Sequence, residues 1–321
     1  MLRGSLQLAD AQEALGFLVS QTAYIEAEVY RTQYPDIQFR GLMPVDNSAP
    51  DWIKTITYFS SDQVGRADWF HANAKDIPLA DVNRTKHDTT VEMGAIGYRY
   101  NLEEISYAMM IPGMRLDSER AMAAGRASEE FLEQLALYGD TSKAITGLLN
   151  DASVTIVDAA TGTGGAGWYT KTADEIMKDV NDLLTGVYTE SLTVEIADTL
   201  LLPVELMTFI ATKRIGPDTS VTLLAFLRQN NAYTAITGRP LNIRGVRGLE
   251  DAGAGGSGCA VAYRNAPDVV KFHLPMEHRF LPVWQTGPLV FDVPGIFRVG
   301  KVEIRRPKAF RYLDDILNEN T

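Results

Sequence analysis

Two glycine-rich stretches carry the spacing that can cradle a nucleotide phosphate. Gly162-Thr163-Gly164-Gly165-Ala166-Gly167 follows a strand-like run, and Asp182 stands downstream where a ribose-binding acid would be needed. Pyrophosphate binding requires a helix that begins inside the motif, so that its first N–H groups point at the anion. Here Trp168-Tyr169-Thr170-Lys171 intervenes and the helix starts no earlier than Thr172. The second stretch, Gly253-Ala254-Gly255-Gly256-Ser257-Gly258, leads into a strand, which aims no helix dipole at a ligand. Both read as turns.

Metal and nucleophile chemistry fare no better. His273, Glu277 and His278 are close in sequence, but a strand through Pro275 puts the two histidines on opposite faces. The helical H-E-x-x-H spacing of zinc hydrolases is missing, and His71 and His87 lie in a polar segment. Cys259, the single cysteine, excludes an intrachain disulfide framework and a cysteine-rich zinc site. Beside Ala260-Val261-Ala262 it reads as a buried, inert thiol. There is no G-x-S-x-G elbow, and Glu103-Glu104 is the solvated side of a short helix. The sequence therefore predicts no catalytic site, no cofactor and no metal.

The bulk composition points the same way. With 321 residues, 45% hydrophobic and 22% charged, the chain can build a sizeable core. Its net charge of −11 argues against a uniformly basic nucleic-acid surface. The N-terminus meets Asp10 and Glu13 too early for a signal peptide. The most apolar run, Leu200 to Ile210, is broken by Pro203 and Glu205 and is too short to span a bilayer. A soluble protein without a membrane partner is expected.

The elements follow from periodicity. A helix is predicted over Leu6–Tyr30, then an extended passage through Tyr34-Pro35 and Met43-Pro44. Trp52–Phe59 and Thr89–Tyr100 read as two strands of a ribbon, with about thirty mostly polar residues and an exposed Trp69-Phe70 pair between them. Such a hairpin is marginal unless something covers a face, and its open edges invite another chain. Trp69, Phe70, Arg66, Trp52 and Tyr58 are the candidate contacts with that chain. A short helix opens at Asn101 and ends near Pro112-Gly113.

The strongest helix runs from Asp117 or Ser118, as caps, to a stop at Gly139. Its apolar stripe is Ala123, Ala127, Phe131, Leu135 and Tyr138. Beyond it come a strand (Ser153–Val157), a helix (Thr172–Leu184), a strand (Leu200–Leu202), a helix (Val204–Thr212), an apolar segment (Ser220–Leu227) and a strand (Cys259–Arg264). Strands over Leu289–Val293 and Gly300–Arg306 finish the chain, the latter with Val302 and Ile304 facing away from Lys301, Glu303 and Arg305. The fold class is α+β.

The order of these elements resembles the major capsid proteins of tailed bacteriophages, with the Hong Kong 97-type fold. The resemblance rests on Tyr24-Ile25-Glu26 through Leu42-Met43-Pro44-Val45, on the extended loop, and on the long helix followed by Gly147-Leu148-Leu149-Asn150. Ala262-Tyr263-Arg264, Leu274-Pro275, Leu281-Pro282 and Gly300-Lys301-Val302-Glu303-Ile304-Arg305-Arg306-Pro307 complete it. It implies an N-terminal arm (1–50), an extended β-ribbon loop (51–100), a peripheral domain with the spine helix (101–150), an axial domain (151–285) and return strands of the peripheral domain (286–321). It implies a structural shell protein of the virion, assembled through pentamers and hexamers in the host bacterial cytoplasm. Its partners would be identical subunits, double-stranded DNA bound without sequence preference, and separate scaffold, portal and decoration proteins. Two alternatives stand: a nanocompartment shell of the same fold enclosing an enzyme cargo, and a nucleotide-binding enzyme using Gly162–Gly167. Lys54, Lys75 and Lys86 lie in the ribbon, but no covalent cross-link is assigned to them.

Overall fold

Alternate residues along four strands of a five-stranded sheet face two different hydrophobic cores, while its edge strand Thr155–Asp158 is largely exposed, and this shared sheet is the frame of the subunit. Its order is Asn242–Val246, Thr199–Pro203, Ala260–Tyr263, Phe310–Asp314, Thr155–Asp158. Because successive side chains point to opposite faces, Leu201, Val261, Tyr263, Phe310 and Tyr312 enter one core. Leu200, Leu202, Ala260, Ala262 and Leu313 enter the other. A strand covered on both faces needs a continuous apolar run, which is what Leu200-Leu201-Leu202 supplies. The computed structural model describes residues 34–69, 79–104 and 116–317. Ile37–Thr321 forms one compact unit and Met1–Asp36 another. The helix predicted over Leu6–Tyr30 lies outside the described residues, and so does most of the short helix predicted from Asn101.

The first core is closed by the long helix, Leu116–Tyr138, together with Phe39, Leu42, Met43 and Phe272. The helix begins at Leu116, so Asp117 and Ser118 lie inside its first turn rather than ahead of it. The buried stripe is also displaced by one position from the predicted one. Ala124, Ser128, Leu132 and Leu135–Leu137 are buried, whereas Ala123 is exposed and Phe131 remains 45% exposed. A one-residue shift turns a helix by only about 100°, and both flanking aromatics find sideways partners. Phe131 meets the Phe297 ring edge-on at 5.8 Å, and the Tyr138 hydroxyl donates to the Gly248 carbonyl at 2.5 Å. Gly139 ends the helix at φ +69, where L side chains are strained. Leu148 and Leu149 then donate back to the last-turn carbonyls of Ala136 and Leu137.

The second core is closed by the helix Ala173–Glu190, which buries Ile176, Val180, Leu183, Leu184 and Val187 and runs past the predicted end at Leu184. Thr172 caps it, and Glu175 returns the bond to Thr172 in a capping box. Trp168, fully buried, donates its indole N–H to Asp179 at 3.0 Å, and Lys171 reaches the same carboxylate at 2.5 Å. Short helices Val204–Thr212, Leu223–Gln229 and Ala232–Thr237 fill the remainder. The last strand, Phe310–Asp314, lies within the central sheet, parallel to Thr155–Asp158 and antiparallel to Ala260–Tyr263.

One strand reading needs correction. The run Thr89–Tyr100 is not one ribbon strand. The ribbon is Thr55–Val64 against Asp81–Thr90, while Glu92–Ala95 pairs with Gly295–Val299 and Tyr98–Asn101 with Val290–Val293. The glycines explain the break. A Cβ at Gly94 would stand 2.2 Å from the Phe297 ring, and one at Gly97 would stand 2.3 Å from the Val293 carbonyl. The ribbon itself extends ten residues because polar side chains suit strands exposed on both faces.

Glu303 lies opposite Val302 and Ile304 on its strand, yet its face is buried as well. All of Val302–Ile304 is buried, because the sheet Val45–Asp46, Val270–His273, Val302–Ile304 is covered on both sides. Glu303 pairs with the buried His273 ring and accepts from Arg305 at 3.2 Å. Burial pushes its carboxyl upward, but the His273 and Arg305 contacts outweigh that and hold it below the usual carboxylate range. Lys271 and His273 also face Asp46, whose carboxyl, fed by Ser48 and Lys271, sits at about 2 against the upward push of desolvation.

Three outcomes follow for the isolated subunit. Gly139→Ala, whose Cβ would stand 2.1 Å from the Ile145 carbonyl, should destabilise by more than about 1 kcal/mol. Gly125→Ala, with open space around it in the helix interior, should stabilise by about 0.5–1 kcal/mol in the same urea titration. Glu303→Gln should cost about 3 kcal/mol near neutral pH, since one partner of a buried pair is removed. Because the folded Glu303 carboxyl lies below its ordinary value, its stabilisation is complete above the ordinary carboxylate range and is lost as pH falls through the folded value. The variant's stability profile should therefore be flatter in acid than that of the parent.

Candidate assembly interface

The ribbon projects as two strands bonded only to each other. Ten residue pairs run from Thr55↔Thr90 at its root to Val64↔Asp81 at its far end. At about 3.4 Å per residue this is roughly 30 Å of two-stranded arm. From Ser60 outward every described residue of the strand Thr55–Val64 is exposed, as are residues 79–86 across from it. The apolar side chains of its outer part are left uncovered by the described residues. Phe59 is exposed, Val64 and Val82 half so, and Leu79 and Trp69 are 86% and 95% exposed.

Alternation gives the two faces different chemistry. Phe59, Ser61 and Gln63 share one face with Val82, Arg84 and Lys86 across the register; Ile56, Tyr58, Ser60, Asp62 and Val64 share the other with Asp81, Asn83, Thr85 and His87. Local bonds tie the strands together near the root. Thr57 donates to Asp88 at 2.6 Å, and Lys86 reaches the same carboxylate at 2.8 Å, which holds the Asp88 carboxyl below its ordinary value.

The root is clamped to the body. Val91 donates to the Lys54 carbonyl at 2.9 Å, and Arg298 donates to the carbonyls of Asp51 and Val91, one on each ribbon leg. Tyr58 stacks on His87 at 4.6 Å, and the Arg305 guanidinium lies 5.0 Å above the Tyr58 ring. Burial, with the field of Glu303 next, pushes the Tyr58 hydroxyl upward. The ribbon angle is thus coupled to the buried His273–Glu303 pair through Arg305.

The five predicted contact residues divide accordingly. Trp69 and Arg66 are exposed beyond the end of the paired strand. Trp52 is 63% exposed at the root, 6.0 Å from the Arg298 guanidinium. Tyr58 is half-buried against its own chain. Phe70 lies outside the described residues. The structure adds a second exposed apolar surface that sequence reasoning missed, Val283, Trp284 and Leu289 around the sheet Trp284–Gly287, Val290–Val293, Tyr98–Asn101. Its only signal was a tryptophan between two prolines, Pro282 and Pro288.

The chemical decoys are accounted for by their own contacts. The Glu175 carboxylate occupies the start of its helix, accepting from the Thr163 backbone N–H at 2.8 Å and hydroxyl at 2.7 Å. Those bonds, led by the backbone N–H of Thr172, draw its carboxyl down to about 2. A carboxylate of the chain itself thus stands where the first glycine motif would need a phosphate. Gly253 and Ser257 close the second glycine loop on themselves, and Ala254 donates to Asp314. His273 is buried against Glu303, while His278 faces the Ile96 carbonyl at 3.1 Å. Cys259 is buried, and burial pushes its thiol far up. Among the described residues no cluster of His, Cys, Asp and Glu is placed to hold a metal, and no helix is long and apolar enough to cross a membrane.

Comparison with known proteins agrees with this geometry. The fold is similar to a chain from the capsid of Myoviridae phage XM1, with a TM-score of 0.76 at 16% identity over 92% of this chain and 97% of that one. It is also similar to a chain from Mycobacterium phage Adephagia, with a TM-score of 0.60 at 16% identity over 94% and 98% of the two chains. For the capsid of a native GTA particle the TM-score is 0.60 at 8% identity, over 92% and 95%. No curated protein sequence matches the chain. The fold is therefore the Hong Kong 97 type, and since residues 65–316 match the model of the Major capsid protein family, the chain belongs to that family and is a structural protein of a capsid shell.

Proposed function

We propose that this subunit closes, through pentamers and hexamers, into an icosahedral head around double-stranded DNA held without sequence recognition. The single observation that carries this reading is the ribbon, a ten-pair arm whose outer half is exposed at every described residue and which carries the 95% exposed Trp69. Such an arm is stable only on a partner, and a neighbouring copy is the partner always at hand. Head-to-tail contacts of this kind close into rings. Each contact can be weak, because a subunit held by several neighbours meets the next at high effective concentration.

On this reading the chain's role is mechanical, without catalysis. Residues 1–50 act as an arm, 51–100 as the extended loop, 101–150 with 286–321 as the peripheral domain and 151–285 as the axial domain. An overall charge of −11 suits a wall that must not adsorb the packed DNA. Assembly in the host bacterial cytoplasm and separate scaffold, portal and decoration chains complete the proposal. Trp69, Phe70, Arg66 and Trp52 act as the contacts with the neighbour, and Tyr58 sets the ribbon's root.

Deleting Gly65–Ala74 tests it. The variant should stay folded, with a thermal midpoint within a few degrees of the parent, since the residues removed lie beyond the paired strands. Electron microscopy of the concentrated protein should then show no closed shells, where the parent forms particles carrying nuclease-protected DNA. Normal shells from the deletion variant would overturn the assignment.

A further inference from the structure

Arg298 is buried, at 7% exposure, yet among the described residues it faces no carboxylate within ion-pair distance. The other buried charges are answered. Lys171 meets Asp179, Glu195 meets Arg264 and Arg306, Glu303 meets His273 and Arg305, and Asp314 accepts the Ala254 N–H. Arg298 has only two long bonds, to the Asp51 carbonyl at 3.3 Å and the Val91 carbonyl at 3.4 Å, and its Nε has no partner. The hydroxyl of Thr89, also at the ribbon root, is likewise without a partner. Asp51, whose carbonyl takes one of those bonds, turns its carboxylate to Arg279 instead, at 2.9 Å. A desolvated guanidinium without a counter-ion is costly. Planar and always charged, it matches a carboxylate oxygen pair.

A complementary surplus lies at the other end of the same ribbon. Asp62 and Asp81 share a face with Val64, as diagonal neighbours across the register. Two like charges so placed oppose each other, and among the described residues neither has a cationic partner; Asp81 accepts only the Val82 N–H. They cannot reach their own Arg298. Asp62 stands seven residues beyond Thr55, about 24 Å along the strand.

We propose that Arg298, beside the exposed Trp52 ring, is the socket for the Asp62 and Asp81 carboxylates of a second copy's ribbon. The proposal rests on the reading that the ribbon lies across a neighbour, and it names the groups that meet there. The end of one arm then neutralises the root of the next, which repeats around a ring without using up either surface. Trp52 shields the pair from water, and the apolar Val64 between the two carboxylates packs on the indole.

Asp62→Asn with Asp81→Asn is the first test, because both side chains are exposed and the fold does not depend on them. The double variant should unfold at the parent's temperature but require at least about tenfold more protein to form shells. The second test mixes subunits carrying Asp62→Cys with subunits carrying Trp52→Cys; the native Cys259 is buried and does not interfere. Oxidation during assembly should give a disulfide between the two variants and none within a chain. Shell formation by the Asn double variant at the parent's concentration, or absence of the mixed disulfide in closed shells, overturns the socket. In that event, loss of shells on deleting Gly65–Ala74 would leave the assembly role standing. Normal shells from the deletion would remove both.

Discussion

A two-stranded ribbon satisfies the backbone groups that face inward between its strands and leaves those on both outer edges to solvent or to another chain. Everything else in the subunit accommodates that constraint. On the proposed reading the arm must remain soluble before it meets a neighbour, which fits its mostly polar side chains and the local tie of Asp88 to Thr57 and Lys86. It must also gain on meeting one, so apolar groups are set singly along it at Phe59, Val64, Val82 and Trp69. Scattered apolar groups on a polar arm give contacts that are individually weak and correctable, which suits a closed shell built from many copies.

An arm is useful only if its angle is fixed, and the body supplies the fixture. The central sheet is packed on both faces by separate cores, so it resists bending as a single covered layer would not. From this frame the strand Val302–Ile304 carries Glu303 into contact with His273, and Arg305 extends from it over Tyr58 on the ribbon. Arg298 bridges both legs of the root from the neighbouring sheet. Buried polar and ionic contacts of this kind add little net stability over apolar packing, but their geometry is specific. Here that specificity sets a direction rather than a rate.

Local rules were enough to read the parts of the fold that depend on them. The long helix, the capped helix after Thr172 and the strand after Cys259 all follow from propensity, capping and apolar runs. The ribbon was legible as an element that cannot cover itself, though not in extent, because strands exposed on both faces have no hydrophobic alternation to mark their length. The burial of Glu303 was not legible for a related reason. Period-two alternation assumes one dry face and one wet one, and only tertiary packing shows that both are dry. The helix stripe slipped by one residue because Phe131 and Tyr138 look like core residues in sequence but pack sideways. The socket has no sequence signature, and the second apolar surface around Trp284 shows only as a tryptophan between Pro282 and Pro288, since each is assembled from distant strands.

Structural likeness persists here at 8–16% identity over more than nine-tenths of the chain. The frame explains how. A sheet covered on both faces asks only that its strands be apolar throughout and that two layers of helix and loop cover them, conditions many sequences meet. The surfaces that join one subunit to the next carry no such tolerance, because a charge on one copy must find its opposite on another. On the proposed reading, the chemistry of the ribbon and its root is therefore where this chain's rules of assembly are written.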